Sequence, residues 1–150
     1  MTSYDLVYST AKNFESPSGI EEVILEGTSN ISAKGNSLSN IIRGNSGNNY
    51  LDGGFNPASI STVTGGSQVG GNVLRDQLFG NEGDDTLVTR SGKDILNGGT
   101  GVDSMAGGDG DDIYYVDNSL DAILETTLAT GGFDHVFSSV SFTLSGGVEM

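Results

Sequence analysis

The chain contains no cysteine and no tryptophan, and its 150 residues include only two prolines, one histidine and six basic side chains. Without cysteine there is no disulfide framework and no zinc–thiolate site, so a small secreted fold of this composition needs another staple, and a bound metal is the obvious one. The only histidine, His135, lies beside Asp134 with serines nearby, but strand alternation makes it an exposed residue near the end of the fold rather than a catalytic one. Six Lys and Arg against 20 Asp and Glu leave a formal net charge of -14, which argues against nucleic acid and against an anionic membrane surface as partners. No apolar run approaches the length of a membrane span. Met1-Thr2-Ser3-Tyr4-Asp5 lacks the charged-then-apolar order of a cleaved signal peptide, which leaves a cytosolic protein or an export signal outside this stretch. Also missing are G-x-S-x-G, H-E-x-x-H, the phosphate-binding G-x-x-x-x-G-K-[ST] and a dinucleotide-binding G-x-G-x-x-G, so the chain is expected not to be an enzyme. The few basic residues are too scattered for a polysaccharide-cleaving groove, and no regular rank of outward threonines suggests ice binding.

What the chain has in excess is glycine, 24 residues, against a hydrophobic content of 35%. That pairing suits turns of unusual backbone shape and a repeat that stacks thin ranks of side chains, which needs less core than a ball. Residues 71–115 divide into nines: GNVLRDQLF, GNEGDDTLV, TRSGKDILN, GGTGVDSMA, GGDGDDIYY. The sixth place is always aspartate (Asp76, Asp85, Asp94, Asp103, Asp112) and the eighth always large and apolar or aromatic (Leu78, Leu87, Leu96, Met105, Tyr114). The same ruler extends back to Gly35, with Ile42, Leu51, Ile60 and Val69 at the eighth place but Asn40, Asn49, Ala58 and Ser67 at the sixth. Residues 35–70 are therefore expected to be the same coil with weak or absent metal sites. Extrapolated further, the eighth place falls on Ala33 and Ile24 upstream and on Ile123 downstream.

Six residues of turn and three of strand reverse the chain once per nonad, so two nonads return it one strand spacing higher, about 4.8 Å. The three strand residues point out, in, out, which places the eighth in the interior. The expected fold is all-β: two parallel sheets back to back, with turns along both edges. Aspartates eighteen apart then stack in two ranks, Asp76/Asp94/Asp112 and Asp85/Asp103/Asp121. Carboxylates about 5 Å apart repel by roughly 3 kcal/mol per pair at an effective dielectric of 20. A divalent ion offsets this, and calcium, with six to eight oxygens in flexible geometry, suits carboxylates and turn carbonyls better than magnesium or zinc.

The nonad G-G-x-G-x-D-x-U-x (U a large apolar residue) resembles the RTX, or haemolysin-type, calcium-binding repeat. That resemblance implies a right-handed parallel β-roll with about three to five calcium ions seated between stacked turns. It implies ligands from the carboxylates of Asp76, Asp85, Asp94, Asp103, Asp112 and Asp121, and from turn positions Asn81, Gly83, Gly92, Gly99, Gly101, Gly108 and Gly110. The pairs would be Asp76/Asp94, Asp94/Asp112, Asp85/Asp103 and Asp103/Asp121, the last on a turn without glycine. Arg90 stands where the repeat has glycine, and Asp109 and Asp111 fall at variable, solvated places. The family further implies one-step (type I) bacterial export, an extracellular location, and attachment to a catalytic domain or further repeats of an enzyme, toxin or adhesin. The alternative is a structural or adhesive spacer that binds carbohydrate or protein through its exposed faces.

The expected organisation is capping strands over 1–34, metal-poor coils over 35–70, calcium-binding repeats over 71–115, and capping strands over 116–150. In the last of these, His135–Phe137 and Val140–Leu144 form a closing strand pair, and Asp117, Glu125 and Asp134 are candidates for an extra capping site. Asp5-Leu6-Val7-Tyr8-Ser9-Thr10 matches Asp134-His135-Val136-Phe137-Ser138-Ser139, and Gly19-Ile20-Glu21 matches Gly147-Val148-Glu149. The chain thus begins and ends at one point of a larger repeat, as a piece of a longer protein would.

Overall fold

A computed structural model describes residues 4–54, 75–125 and 132–144. Among these there are thirteen strands and no helix: β1 (Leu6–Ser9), β2 (Asn13–Glu15), β3 (Glu22–Leu25), β4 (Ser32–Lys34), β5 (Ile41–Arg43), β6 (Tyr50–Asp52), β7 (Gln77–Glu82), β8 (Thr86–Val88), β9 (Ile95–Thr100), β10 (Ser104–Ala106), β11 (Ile113–Val116), β12 (Ala122–Ile123) and β13 (His135–Ser138). Odd-numbered strands form a seven-stranded sheet in the order β1-β3-β5-β7-β9-β11-β13, and even-numbered strands a six-stranded sheet, β2 to β12. Every pairing is parallel. Because consecutive strands alternate between sheets, the chain winds as a β-solenoid, the β-roll expected from the nonads.

The out-in-out reading holds at each rung. Ile42, Leu51, Leu78, Leu87, Leu96, Met105, Tyr114 and Ile123 are buried, while their strand neighbours are mostly part-exposed. In register they stack as Ile42↔Leu78↔Leu96↔Tyr114 in one sheet and Leu51↔Leu87↔Met105↔Ile123 in the other. Each buried leucine removes its apolar surface from water, worth about 1.5–3 kcal/mol. A core one side chain deep on each sheet can therefore hold a chain of modest hydrophobic content.

Three expectations need correction. First, the coil does not run without interruption through 35–76. β5 pairs directly with β7 and β6 with β8, steps of thirty-six residues where the rest of the stack steps by eighteen. The expectations at Ile60 and Val69 lie outside the described residues. Gly53 and Gly54 open the turn and Arg75 and Asp76 close it, and a Cβ on Gly53 would press on the Asp76 carboxylate as within a single turn.

Second, the inward residue of β3 is Val23, paired with Ile42, while Ile24 faces outward. The turn between β3 and β4 is one residue longer than a nonad allows, and one residue reverses the facing of a strand. Third, the end does not close with a strand pair. β13 adds to β11 as a parallel strand, and residues 140–144 carry no strand. Phe142 and Leu144 pack against the core from this end, as Val7, Phe14 and Ile20 do from the other. The matching segments after Asp5 and Asp134 form β1 and β13, the two outer strands of one sheet.

Candidate metal centre

Turns line both edges of the roll. Edge one carries those entering the seven-stranded sheet: 35–40, a composite turn described at 53–54 and 75–76, 89–94, 107–112, and the described residues 124–125 and 132–134. Edge two carries those entering the six-stranded sheet (44–49, 80–85, 98–103 and 117–121). The sixth-place residues form a hydrogen-bonded ladder up each edge. On edge one the N–H of Asn40 donates to Asp76 Oδ1, that of Asp76 to Asp94, and that of Asp94 to Asp112, each at 2.8 Å; Asp112 donates to Asp134 at 2.9 Å. On edge two Asn49 donates to Asp85 at 2.7 Å, Asp85 to Asp103 at 2.8 Å, and Asp103 to Asp121 at 2.9 Å. All of these aspartates are buried.

Each ladder uses one carboxylate oxygen. The second oxygens of Asp85, Asp94, Asp103 and Asp112 are buried with no hydrogen-bond partner. A stranded carboxylate oxygen costs about 1–3 kcal/mol or more, since water is lost and nothing replaces it. Burial drives these groups above the ordinary carboxylate range: Asp85 and Asp94 to about 6, Asp103 to about 7 and Asp112 to about 8. For Asp103 the neighbouring Asp85, Asp121 and Asp117 add to the effect, and for Asp112 so do Asp94, Asp134 and Glu125.

Glycine backbone lies against these stranded oxygens. A Cβ on Gly80, Gly98 or Gly107 would collide with the second oxygen of Asp85, Asp103 or Asp112 in its own turn. A Cβ on Gly99 or Gly101 would collide with the carbonyls of Asn81 and Gly83 one rung below, and on Gly108 or Gly110 with those of Arg90 and Gly92. Gly99, Gly101, Gly108 and Gly110 have φ between +88° and +140°, and Asn81, at +82°, is the only non-glycine residue with positive φ among those described. Carboxylate oxygen and carbonyls from stacked turns thus converge where side chains cannot intrude. Hard oxygen donors with surplus negative charge and no nitrogen or sulfur are the set a calcium ion takes. The residues present fit that ion, and a bound divalent cation would supply the positive charge these buried carboxylates lack.

The ranks contain what repeat spacing pointed to and more. Asp134 joins the edge-one ladder after Asp112, four residues later than an unbroken repeat would put it. Its signal was legible, because Asp134-His135-Val136-Phe137 repeats the order of Asp112-Ile113-Tyr114-Tyr115. The proposed grouping of Asp117, Glu125 and Asp134 is not formed: Glu125 and Asp134 neighbour Asp112 on edge one, whereas Asp117 neighbours Asp121 and Asp103 on edge two. Asp111 is not simply solvated, since it pairs with Lys93 and accepts the N–H of Phe133. At Asp103/Asp121 the Gly101 carbonyl already accepts from Asn118 Nδ2.

Among known families, the RTX calcium-binding nonapeptide repeat matches in four copies, over residues 34–55, 71–105 and 88–119. No curated protein and no solved structure matches the chain.

Proposed function

We propose that this chain, which carries RTX calcium-binding nonapeptide repeats and is a calcium-binding β-roll module, is a calcium-gated folding unit. It orders where calcium is abundant and loosens where calcium is scarce, as the non-catalytic part of a larger secreted bacterial enzyme, toxin or adhesin. The observation that carries this reading is the set of four buried carboxylate oxygens without partners, at Asp85, Asp94, Asp103 and Asp112. Without a cation these groups must either take up protons or bear uncompensated charge, and both oppose folding near neutral pH. Metal binding is then folding free energy, and extracellular calcium modules typically bind at about 10⁻⁴–10⁻³ M. The ligand sets we assign are Asp85/Asp103, Asp94/Asp112, Asp103/Asp121 and Asp112/Asp134, with carbonyls at Asn81, Gly83, Gly92, Gly99, Gly101, Gly108 and Gly110.

The test is a calcium titration of the whole chain followed by far-UV circular dichroism, with magnesium as control. The expected result is a rise in β signal at sub-millimolar to millimolar calcium and none with magnesium. A full β spectrum in chelator that calcium leaves unchanged would overturn the gating.

A second reading, an adhesive spacer, has its own observation. The outer face of the seven-stranded sheet carries Ile41, Ile95 and Ile113 in one row and Phe79, Tyr115 and Phe137 in the next, with Tyr115 and Phe137 stacked at 5.4 Å. A polysaccharide screen at saturating calcium tests it; specific, saturable binding lost in Tyr115→Ala would favour this role.

A further inference from the structure

The Asp76/Asp94 level differs from the other stacked aspartate pairs, and the difference starts at the second place of the turn. In the 98–103 and 107–112 turns that place is Gly99 or Gly108, whose lack of a side chain leaves the space beside the carbonyls below open. In the 35–40, 44–49 and 80–85 turns a nitrogen donor fills it. Asn36 Nδ2 donates to the carbonyls of Pro17 and Ile20 in the turn below, both at 2.9 Å. Asn45 Nδ2 donates to Glu26 and Ser29 at 3.3 and 3.0 Å, and Asn81 Nδ2 to Gly44 at 2.7 Å. The chain repeatedly uses a side-chain N–H to satisfy carbonyls that face an inter-turn space.

Arg90 does the same with a full positive charge. It is the second-place residue of the 89–94 turn, and its guanidinium reaches down to the composite turn that Gly53 and Gly54 open. One nitrogen donates to the Gly54 carbonyl at 3.0 Å, and the guanidinium grips both carboxylate oxygens of buried Asp52. A carbonyl of the turn below and a buried carboxylate are the partners a metal ion would take. Unlike the second-place residues Gly54, Asn81, Gly99 and Gly108, Arg90 does not have positive φ. Two more of the six basic residues flank this level: Arg75 Nε donates to the Lys93 carbonyl at 3.0 Å, and Lys93 pairs with Asp111.

We propose that the Arg90 guanidinium takes the place of the metal ion between the composite turn and the 89–94 turn, so that the Asp76/Asp94 level binds no calcium. The inference rests on the calcium reading above and refines it. On edge one the first ion sits at Asp94/Asp112, where Arg90 contributes only its backbone carbonyl. A guanidinium suits this level because it supplies fixed donors to the carboxylate and carbonyl together, and it does not leave when calcium falls. The rungs upstream of it are then held by Asn amides, and the composite turn by an internal cation.

The experiment counts calcium bound per chain by isothermal titration calorimetry for the wild type, Arg90→Gly, Asp76→Asn and the double variant. Arg90→Gly is expected to bind one more ion than the wild type, and the double variant to return to the wild-type count. Asp76→Asn alone, which keeps an oxygen for the Asn40 N–H, is expected to match the wild type. An unchanged count in Arg90→Gly, with its calcium-loaded circular dichroism intact, overturns the proposal, as does the loss of one ion in Asp76→Asn. If Arg90→Gly does not fold in calcium, the Asp76→Asn count decides. A wild type that binds no calcium would overturn the parent reading along with this one, which separates the two failures.

Discussion

Replacing Asp94 by asparagine and by alanine separates two roles of one carboxylate. Its first oxygen accepts the N–H of Asp76 at 2.8 Å, while its second is buried without a partner and is the oxygen available to a cation. Asparagine keeps the shape and an acceptor but discards the charge; alanine discards both. Without metal, burial raises Asp94 from 3.8 to about 6. At about 1.36 kcal/mol per pKa unit, holding it ionised in the metal-free fold at pH 7 costs about 3 kcal/mol. In chelator Asp94→Asn should therefore be more stable than the wild type by up to about 3 kcal/mol. Asp94→Ala should fall about 1–3 kcal/mol below Asp94→Asn, because the buried Asp76 N–H loses its acceptor. Calcium removes most of that advantage. A site at about 100 times its Kd contributes about 2.7 kcal/mol, and both variants forfeit that at the Asp94/Asp112 level. Urea unfolding followed by circular dichroism, with and without about 10 mM calcium (about 100 times a Kd near 10⁻⁴ M), reads both orders. If Asp94→Asn is less stable than the wild type in chelator, the stranded-charge argument is wrong. If calcium stabilises Asp94→Asn as much as it stabilises the wild type, Asp94 is not a ligand.

Acid should act oppositely on the two forms. In the metal-free fold, Asp85, Asp94, Asp103 and Asp112 lie above their unfolded value, at about 6 to 8. Their contribution to stability is fully present below about pH 4 and is lost as pH rises through about 6 to 8. Chelated protein should thus gain β signal as pH falls from 8 to 5, whereas apparent calcium affinity should weaken over the same window as protons compete; a chelated chain more ordered at pH 8 than at pH 5 would contradict this. Gly110→Ala should fail in calcium as well as in chelator. Its φ is +121° and a Cβ there would collide with the Gly92 carbonyl, so the same titration should show no full β signal even at saturating calcium. Leu96→Ala, in the middle of the fully buried rank, should cost about 2–5 kcal/mol by urea unfolding in saturating calcium, with the number of bound ions unchanged.

The period, the inward eighth place and the aspartate ranks were legible because each is a property of one nonad repeated in register. The features that escaped were those a fixed ruler cannot see. The excursion between Gly54 and Arg75 adds a whole number of nonads, so the register on its far side is indistinguishable from an unbroken coil. Only the pairing Ile42↔Leu78 shows that two repeats are bypassed. One extra residue before Ile31 moved the inward position from Ile24 to Val23, and four before Asp134 carried it out of phase with Asp112 although it occupies the next rung. Arg90 registered as a missing glycine; that its side chain meets Asp52 and Gly54 depends on the bypass, which brings those residues directly below it.

The two ends of the stack solve one electrostatic problem in different ways. Parallel turns stacked at strand spacing point carbonyls at one another, and something positive must sit between them. Upstream, neutral amides at Asn36 and Asn45 do so, and the sixth-place Asn40 and Asn49 accept the N–H of Asn36 and Asn45 within their own turns at 2.8 Å. Downstream, glycine at the second place removes the internal donor and aspartate at the sixth adds charge, which leaves buried carboxylate oxygens at Asp85, Asp94, Asp103 and Asp112 without a hydrogen-bond partner. On the proposed reading, dependence on calcium is set by two positions per nonad and not by the fold, which both halves share. Because neighbouring rungs of a solenoid support one another, a metal-free half can template the metal-requiring half beside it. The transition between them falls at the composite turn, where Arg90 supplies a cation that the chain carries itself.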